Sequence, residues 1–178
     1  DGDGYGDNAT GIQPDACPGE AGTSTVPYGC VDDDGDGYAN STDDFPNDPT
    51  RWNDSDGDGY DDVEDACPLI SGNSSQDRLG CLDSDGDGFS NPTLPVGNTS
   101  GWNVSDGADA FPDEPSQIVD SDGDGYGDNA TGVQPDACPT DAGFSTVDRF
   151  GCTDEDGDGT SDANDAFLGE PSQWTDSD

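Results

Sequence analysis

The chain has 178 residues, with 43 Asp or Glu against three Arg, no Lys and no His, for a formal charge of −40. That charge repels phosphate, which argues against nucleic acid as a partner and against anionic membrane surfaces. Hydrophobic residues make up only 27% of the chain, too few to offset the conformational entropy of folding through an apolar core.

Two substitutes for a core are visible. One is a set of metal ions that neutralise the acids. The other is six cysteines, an even number of the kind that secreted chains pair into disulfides. The chain has no apolar run of membrane-spanning length, no signal peptide and no initiator Met. The expectation is a mature piece of an exported protein, secreted or held at the cell surface without membrane insertion.

In chain order, the sequence repeats itself. Residues 1–56 align with 122–178, and a middle copy begins at Asp54. The expected units are 1–53 (truncated at its N-terminal side), 54–119 and 120–175, with 176–178 opening a further unit. Each unit has an acidic loop ending in D-A-C-P and a segment between cysteines that ends in G-C. A second acidic loop follows, ending near an F-P or F-L pair, and a D/E-P connector closes the unit. Gly and Pro interrupt the chain every few residues, so no helical periodicity survives. The predicted fold is mostly irregular, with no α-helix beyond a single turn.

The second unit opens with the cleanest acidic loop, "DSDGDGYDDVED" over 54–65. Asp occupies positions 1, 3, 5, 9 and 12, and Gly59 occupies position 6. This is the spacing of an oxygen-ligand calcium loop: alternate residues of a tight turn point carboxylates inward, and Gly lets the backbone bend. The predicted ligands here are Asp54, Asp56, Asp58, Asp62 and Asp65. In the first unit they are Asp1, Asp3, Asp7 and Asp15, then Asp32, Asp34, Asp36 and Asp43, with Asn40 at position 9. The second loop of unit two offers Asp83, Asp85 and Asp87, closed after a long insertion by Asp109. The third unit offers Asp120, Asp122, Asp124, Asp128 and Asp136, then Asp154, Asp156, Asp158, Asp162 and Asp165; Asp176 and Asp178 begin another loop. The position-7 residues Tyr5, Tyr38, Tyr60, Phe89, Tyr126 and Thr160 are expected to offer backbone carbonyls. A disordered acidic linker would not keep this spacing across several copies. Hard oxygen ligands without His or thiolate favour Ca²⁺ over zinc or copper, and crowded flexible carboxylates favour it over Mg²⁺. The expected cofactor is therefore multiple Ca²⁺ ions.

An EF-hand or dockerin has helices beside its loops, whereas Pro and Gly flank these. The tandem pattern D-x-D-G-D-G-x-x-D-x-x-D-x-C-P instead resembles the thrombospondin type 3 repeat, over nearly the whole chain. The resemblance implies an elongated, calcium-wrapped, disulfide-stapled array with little regular structure. It also implies that the Asp residues named above bind calcium, with more than one ion per motif. Phe45, Phe111 and Phe167 stand where the family has Cys after alternate loops.

Six cysteines allow fifteen connectivities. Each unit holds one C-P and one G-C, which favours Cys17 with Cys30, Cys67 with Cys81 and Cys138 with Cys152. Seven N-glycosylation sequons occur, at Asn8, Asn40, Asn53, Asn73, Asn98, Asn103 and Asn129; Asn40 sits at a ligand position and Asn53 beside one. The aromatics at position 7 and the connector residues Trp52, Ile118 and Trp174 read as small apolar contacts. No nucleophile and base pair, phosphate loop or His points to an enzyme. The expected function is an extracellular structural glycoprotein carrying covalent N-glycans. It would form a stalk or head-to-tail filament, or continue into a longer repeat chain. The alternative is a calcium-dependent adhesin that binds glycans or a receptor.

Overall fold

The computed structural model describes residues 1–93 and 101–177; Asn98 and Asp178 lie outside them. The described chain is almost entirely irregular, as its Gly and Pro content requires. The regular elements among these residues are one 3₁₀ turn, Val104–Asp106, and isolated bridges such as Gly6 to Pro14 and Gly127 to Pro135. By contact density the chain divides into two compact units, Asp1–Ser71 and Gly72–Asp178. None of the helical structure described is long and apolar enough to cross a membrane.

The interior is polar. Buried apolar side chains are small: Cys30, Ala39, Cys81, Ala108 and Cys152. The other buried side chains include Asp15, Asp43, Asp65, Asp83, Asp109 and Asp136, together with Ser24, Ser74, Ser90, Ser145 and Ser161. A chain this irregular has few backbone ladders, so side chains must satisfy its buried N–H and C=O groups. Ser24 shows how. Its hydroxyl donates to the Pro27 carbonyl at 2.5 Å and accepts from the Cys30 N–H at 2.9 Å. Ser74 and Ser145 do the same for Arg78 with Cys81 and for Arg149 with Cys152.

Three disulfides staple the chain. Cys17 pairs with Cys30 and Cys138 with Cys152, as the repeat predicts. Cys67 and Cys81 are also disulfide-bonded, and no cysteine is free. Closing a loop of this length is worth roughly 3 kcal/mol against the unfolded chain.

Aromatic rings pack in pairs. The position-7 ring of Tyr38 stacks on Trp52, with centroids 5.3 Å apart. Tyr5 meets Tyr28 and Tyr126 meets Phe150. Position 7 of the 154–165 loop is Thr160, and the connector Trp174 is left 52% exposed.

Candidate metal centres

The acidic loops share one hydrogen-bond plan, visible in the 54–65 loop. Asp54 at position 1 accepts the Gly57 N–H on one oxygen at 2.7 Å and the Gly59 N–H on the other at 2.8 Å. Asp32, Asp83, Asp120 and Asp154 hold their own two glycine amides in the same way. Both glycines need positive φ, 78° at Gly57 and 97° at Gly59, which residues with a Cβ adopt at a cost. Position 1 thus folds the turn.

In the 32–43 loop, positions 3 and 5 use one oxygen each on the backbone. Asp34 accepts the Asp36 N–H, and Asp36 accepts the Tyr38 N–H. The other oxygen of each is buried without a donor, as it is for the pairs Asp85 and Asp87, and Asp156 and Asp158. Asp122 has one such oxygen, and Asp56 has both. The closing Asp repeats the pattern. Asp15, Asp109 and Asp136 each accept an N–H two residues on, while their second oxygen stays buried and unpaired.

The carboxylates also cluster. Among the described residues, at least five groups of three carboxylates have one oxygen per member within 4.8 Å of the others. Five are Asp1 with Asp3 and Asp15, Asp32 with Asp34 and Asp36, Asp54 with Asp56 and Asp58, Asp83 with Asp85 and Asp87, and Asp120 with Asp122 and Asp124. Buried carboxylates stacked on one another are costly when ionised. Burial, then neighbouring negative charge, raises the pKa of Asp56, Asp109 and Asp122 above the usual carboxylate value. Asp109, fully buried, reaches about 6. Burial is also the first cause of the raised values at Asp43, Asp87, Asp136 and Asp156. A cation removes both costs at once, and the donor set of hard oxygens fits one. The carbonyls of Tyr5, Tyr38, Tyr60, Phe89, Tyr126 and Thr160 accept no hydrogen bond among the described residues, so they remain open to a cation.

Position 9 has a separate task. Asp62 accepts the Ser55 N–H at 2.7 Å and the Ser55 hydroxyl on its other oxygen. Asp128 and Asp162 accept the N–H groups of Ser121 and Glu155. Asn40 and Asn91 take the Asp33 and Ser84 N–H groups through their amide oxygens. The position-9 N–H in turn reaches back to the residue before the loop, as in Asp62 to Asn53 at 2.9 Å. Position 9 therefore ties the loop shut across position 2, a role Asn and Asp fill equally. Asp7, at the same position of the first loop, is exposed. Asp43, Asp65 and Asp165 lie at their predicted closing positions and each accept the N–H two residues on. Asp176 is exposed.

Three acids absent from the predicted ligand set are structural. Asp61, 2% exposed, accepts the N–H groups of Trp52, Asn53 and Val63. Asp77 holds the Ser90 N–H and hydroxyl, and Asp148 holds those of Ser161. Where the first unit has Pro27 in place of this Asp, it has Ala39 in place of the Ser, so the partners change together.

The described sequons lie at the surface. Asn8, Asn53, Asn73, Asn103 and Asn129 are exposed and Asn40 is half-buried. The Asn40 amide donates to Asp33, Asn53 to Ser55 and Asp62, Asn103 to Asp106, and Asn129 to the Ser116 carbonyl.

No known protein family matches the chain, and no curated protein matches it significantly.

Proposed function

We propose that the protein is an extracellular, calcium-binding structural repeat protein of the kind the thrombospondin type 3 resemblance describes. One observation carries this reading. Carboxylates at positions 3 and 5, as at Asp34, Asp36, Asp85, Asp87, Asp156 and Asp158, keep buried oxygens without donors, and in four loops the carboxylates of positions 1, 3 and 5 bring one oxygen each within 4.8 Å of one another. A fold that supplies a donor to one oxygen of a carboxylate and withholds it from the other is built to receive a cation. Asp34, Asp36, Asp56, Asp58, Asp85, Asp87, Asp122, Asp124, Asp156 and Asp158, with the closing Asp residues, would hold it. Position-1 carboxylates shape the turn around it. The bound ion supplies charge neutralisation, and with it stability that a small apolar interior does not provide.

On this reading the disulfides suit an oxidising, extracellular setting, the exposed sequons carry N-glycans, and copies of the chain join head to tail into a stalk or filament. Calorimetric titration of the metal-free chain tests the calcium reading. Ca²⁺ should bind at several saturable sites, with Mg²⁺ at the same concentration binding far more weakly. A chain that takes up no Ca²⁺ at millimolar concentration would overturn it.

A further inference from the structure

Asn53, Asn103 and Asn129 each open a sequon, and all three are exposed. Exposure alone would give a modifying enzyme equal access to them. Their hydrogen bonds set one of them apart.

N-glycosylation joins the side-chain amide nitrogen to the anomeric carbon of a sugar carried on a lipid pyrophosphate. The N–C bond forms as the C–O bond to phosphate breaks. The lipid pyrophosphate leaves with the electron pair, and the amide gives up one of its two protons. The linked amide keeps a single N–H. An asparagine that uses one amide proton in the fold can therefore carry a glycan and keep its bond. One that uses both cannot.

Asn103 and Asn129 are of the first kind. Each turns its amide oxygen to the third residue of its own sequon. Asn103 accepts the Ser105 N–H at 2.9 Å and the Ser105 hydroxyl at 2.5 Å. Asn129 accepts the Thr131 N–H at 3.2 Å and the Thr131 hydroxyl at 2.9 Å. Their amide nitrogens make one bond each among the described residues, to Asp106 at 2.5 Å and to the Ser116 carbonyl at 2.7 Å. One proton on each remains uncommitted.

Asn53 is of the second kind. Its amide nitrogen donates to the Ser55 hydroxyl at 3.1 Å and to the Asp62 carboxylate. The Ser55 hydroxyl donates to the same Asp62 oxygen at 2.7 Å. The two side chains that define the sequon are thus both tied to the position-9 clasp. The backbone is held as well. The Asn53 N–H reaches Asp61, itself 2% exposed, and the Asn53 carbonyl accepts the Asp62 N–H at 2.9 Å. This sequon cannot be lifted away from the loop unless the clasp opens.

We propose that a glycan on Asn53 and the closed 54–65 loop exclude one another, so that Asn53 is a modification site only while its loop is open. Asn103 and Asn129 accept a glycan in the closed fold. A loop that closes first keeps Asn53 bare. A glycan that arrives first leaves the clasp one bond short. This rests on the N-glycan reading above and narrows it to particular sequons.

The test offers the whole, unglycosylated chain to a purified oligosaccharyltransferase with a lipid-pyrophosphate-linked oligosaccharide, and maps each sequon by mass spectrometry. Folded wild type and Asp62→Asn are compared in millimolar Ca²⁺ with wild type that is reduced, alkylated and calcium-free. Asp62→Asn keeps an oxygen for the Ser55 N–H, as Asn40 does for the Asp33 N–H, but it loses the carboxylate that holds the Asn53 amide; its disulfide map checks the fold. In folded wild type, Asn53 should be modified at least about tenfold less than Asn103 and Asn129, the factor that one hydrogen bond to a charged group carries. Asp62→Asn should remove most of that difference, and the reduced chain should be modified at all three alike. A reduced chain that takes no glycan at any sequon defeats the N-glycan reading and this proposal together. If the reduced chain is modified, folded wild type modified equally at all three sequons, or at none, leaves that reading standing and overturns the proposal. So does a folded Asp62→Asn whose Asn53 is modified as poorly as in wild type, because the clasp would then not be what shields it.

Discussion

Asp148 and Asp109 are carboxylates of the same compact unit, and the fold treats them oppositely. Asp148 accepts the Ser161 N–H and hydroxyl at 2.8 Å each, and the Asn164 amide at 2.5 Å. Burial opposes its charge, but the Ser161 N–H and the other donors outweigh it and hold the group down at about 2. Asp109 is fully buried, receives one N–H from Phe111, and keeps its second oxygen unpaired. Burial first, then the charges of Asp87, Asp85 and Asp83, push it up to about 6. Donors are supplied where a carboxylate is a strut. They are withheld where the carboxylates converge. The same division separates Asp62 from Asp56 in the 54–65 loop.

The largest effect that tests this division is removal of the ion. In excess chelator the converging carboxylates repel one another and lose their stabilisation, so small-angle scattering should show strong expansion of the chain, limited by the disulfides. An unchanged radius would mean that the protein tolerates its orphaned oxygens unaided.

Next in size is a pair of substitutions in one loop. Asp56 has both oxygens buried and unpaired, whereas Asp62 spends both on Ser55. Asp56→Asn should weaken Ca²⁺ binding at that loop at least tenfold. Asp62→Asn, which copies Asn40, should change it by less than about threefold. Equal losses would erase the distinction between ligand and clasp.

The pH response of the metal-free chain has a defined sign. A carboxyl whose folded value is raised, such as Asp109, contributes stability that is full below its unfolded value of 3.8 and is lost as pH rises through about 6. Asp148 contributes above 3.8 and loses that contribution as pH falls through about 2. In chelator, tyrosine and tryptophan fluorescence should therefore report more structure at pH 4.5 than at pH 7. With Ca²⁺ present the order should invert, because protons compete with the ion for the same oxygens. A metal-free chain that loses structure between pH 7 and 4.5 would contradict the orphaned-acid description.

The smallest expected effect concerns the strut. Ser161→Ala removes one hydroxyl bond to Asp148 and should cost about 1 kcal/mol in the calcium-loaded chain, seen as a lowered thermal midpoint with unchanged Ca²⁺ stoichiometry. Loss of an ion in this variant would show that strut and ligand shell are one structure.

The loops themselves were legible in the sequence because their geometry is local. Asp54, Gly57 and Gly59 lie within six residues, and a carboxylate capping two positive-φ glycines needs no distant partner. The irregular fold and the disulfides at Cys17 with Cys30 and Cys138 with Cys152 followed from composition and repetition alone. Spacing says where a side chain starts but not which donors its oxygens meet, so Asp62 and Asp56 read alike until the fold separated them. Asp148 with Ser161 is thirteen residues apart, and Gln117 reaches Asn129 and Val133 across twelve and sixteen. Contacts of that span depend on how one loop lies on the next. Their one trace in the sequence is paired change: Pro27 with Ala39 against Asp148 with Ser161. Tertiary structure alone decided that Asp148 is a strut and Asp109 an orphaned acid, because the donors that reach Asp148 come from residues thirteen and sixteen positions away and none reaches the second oxygen of Asp109.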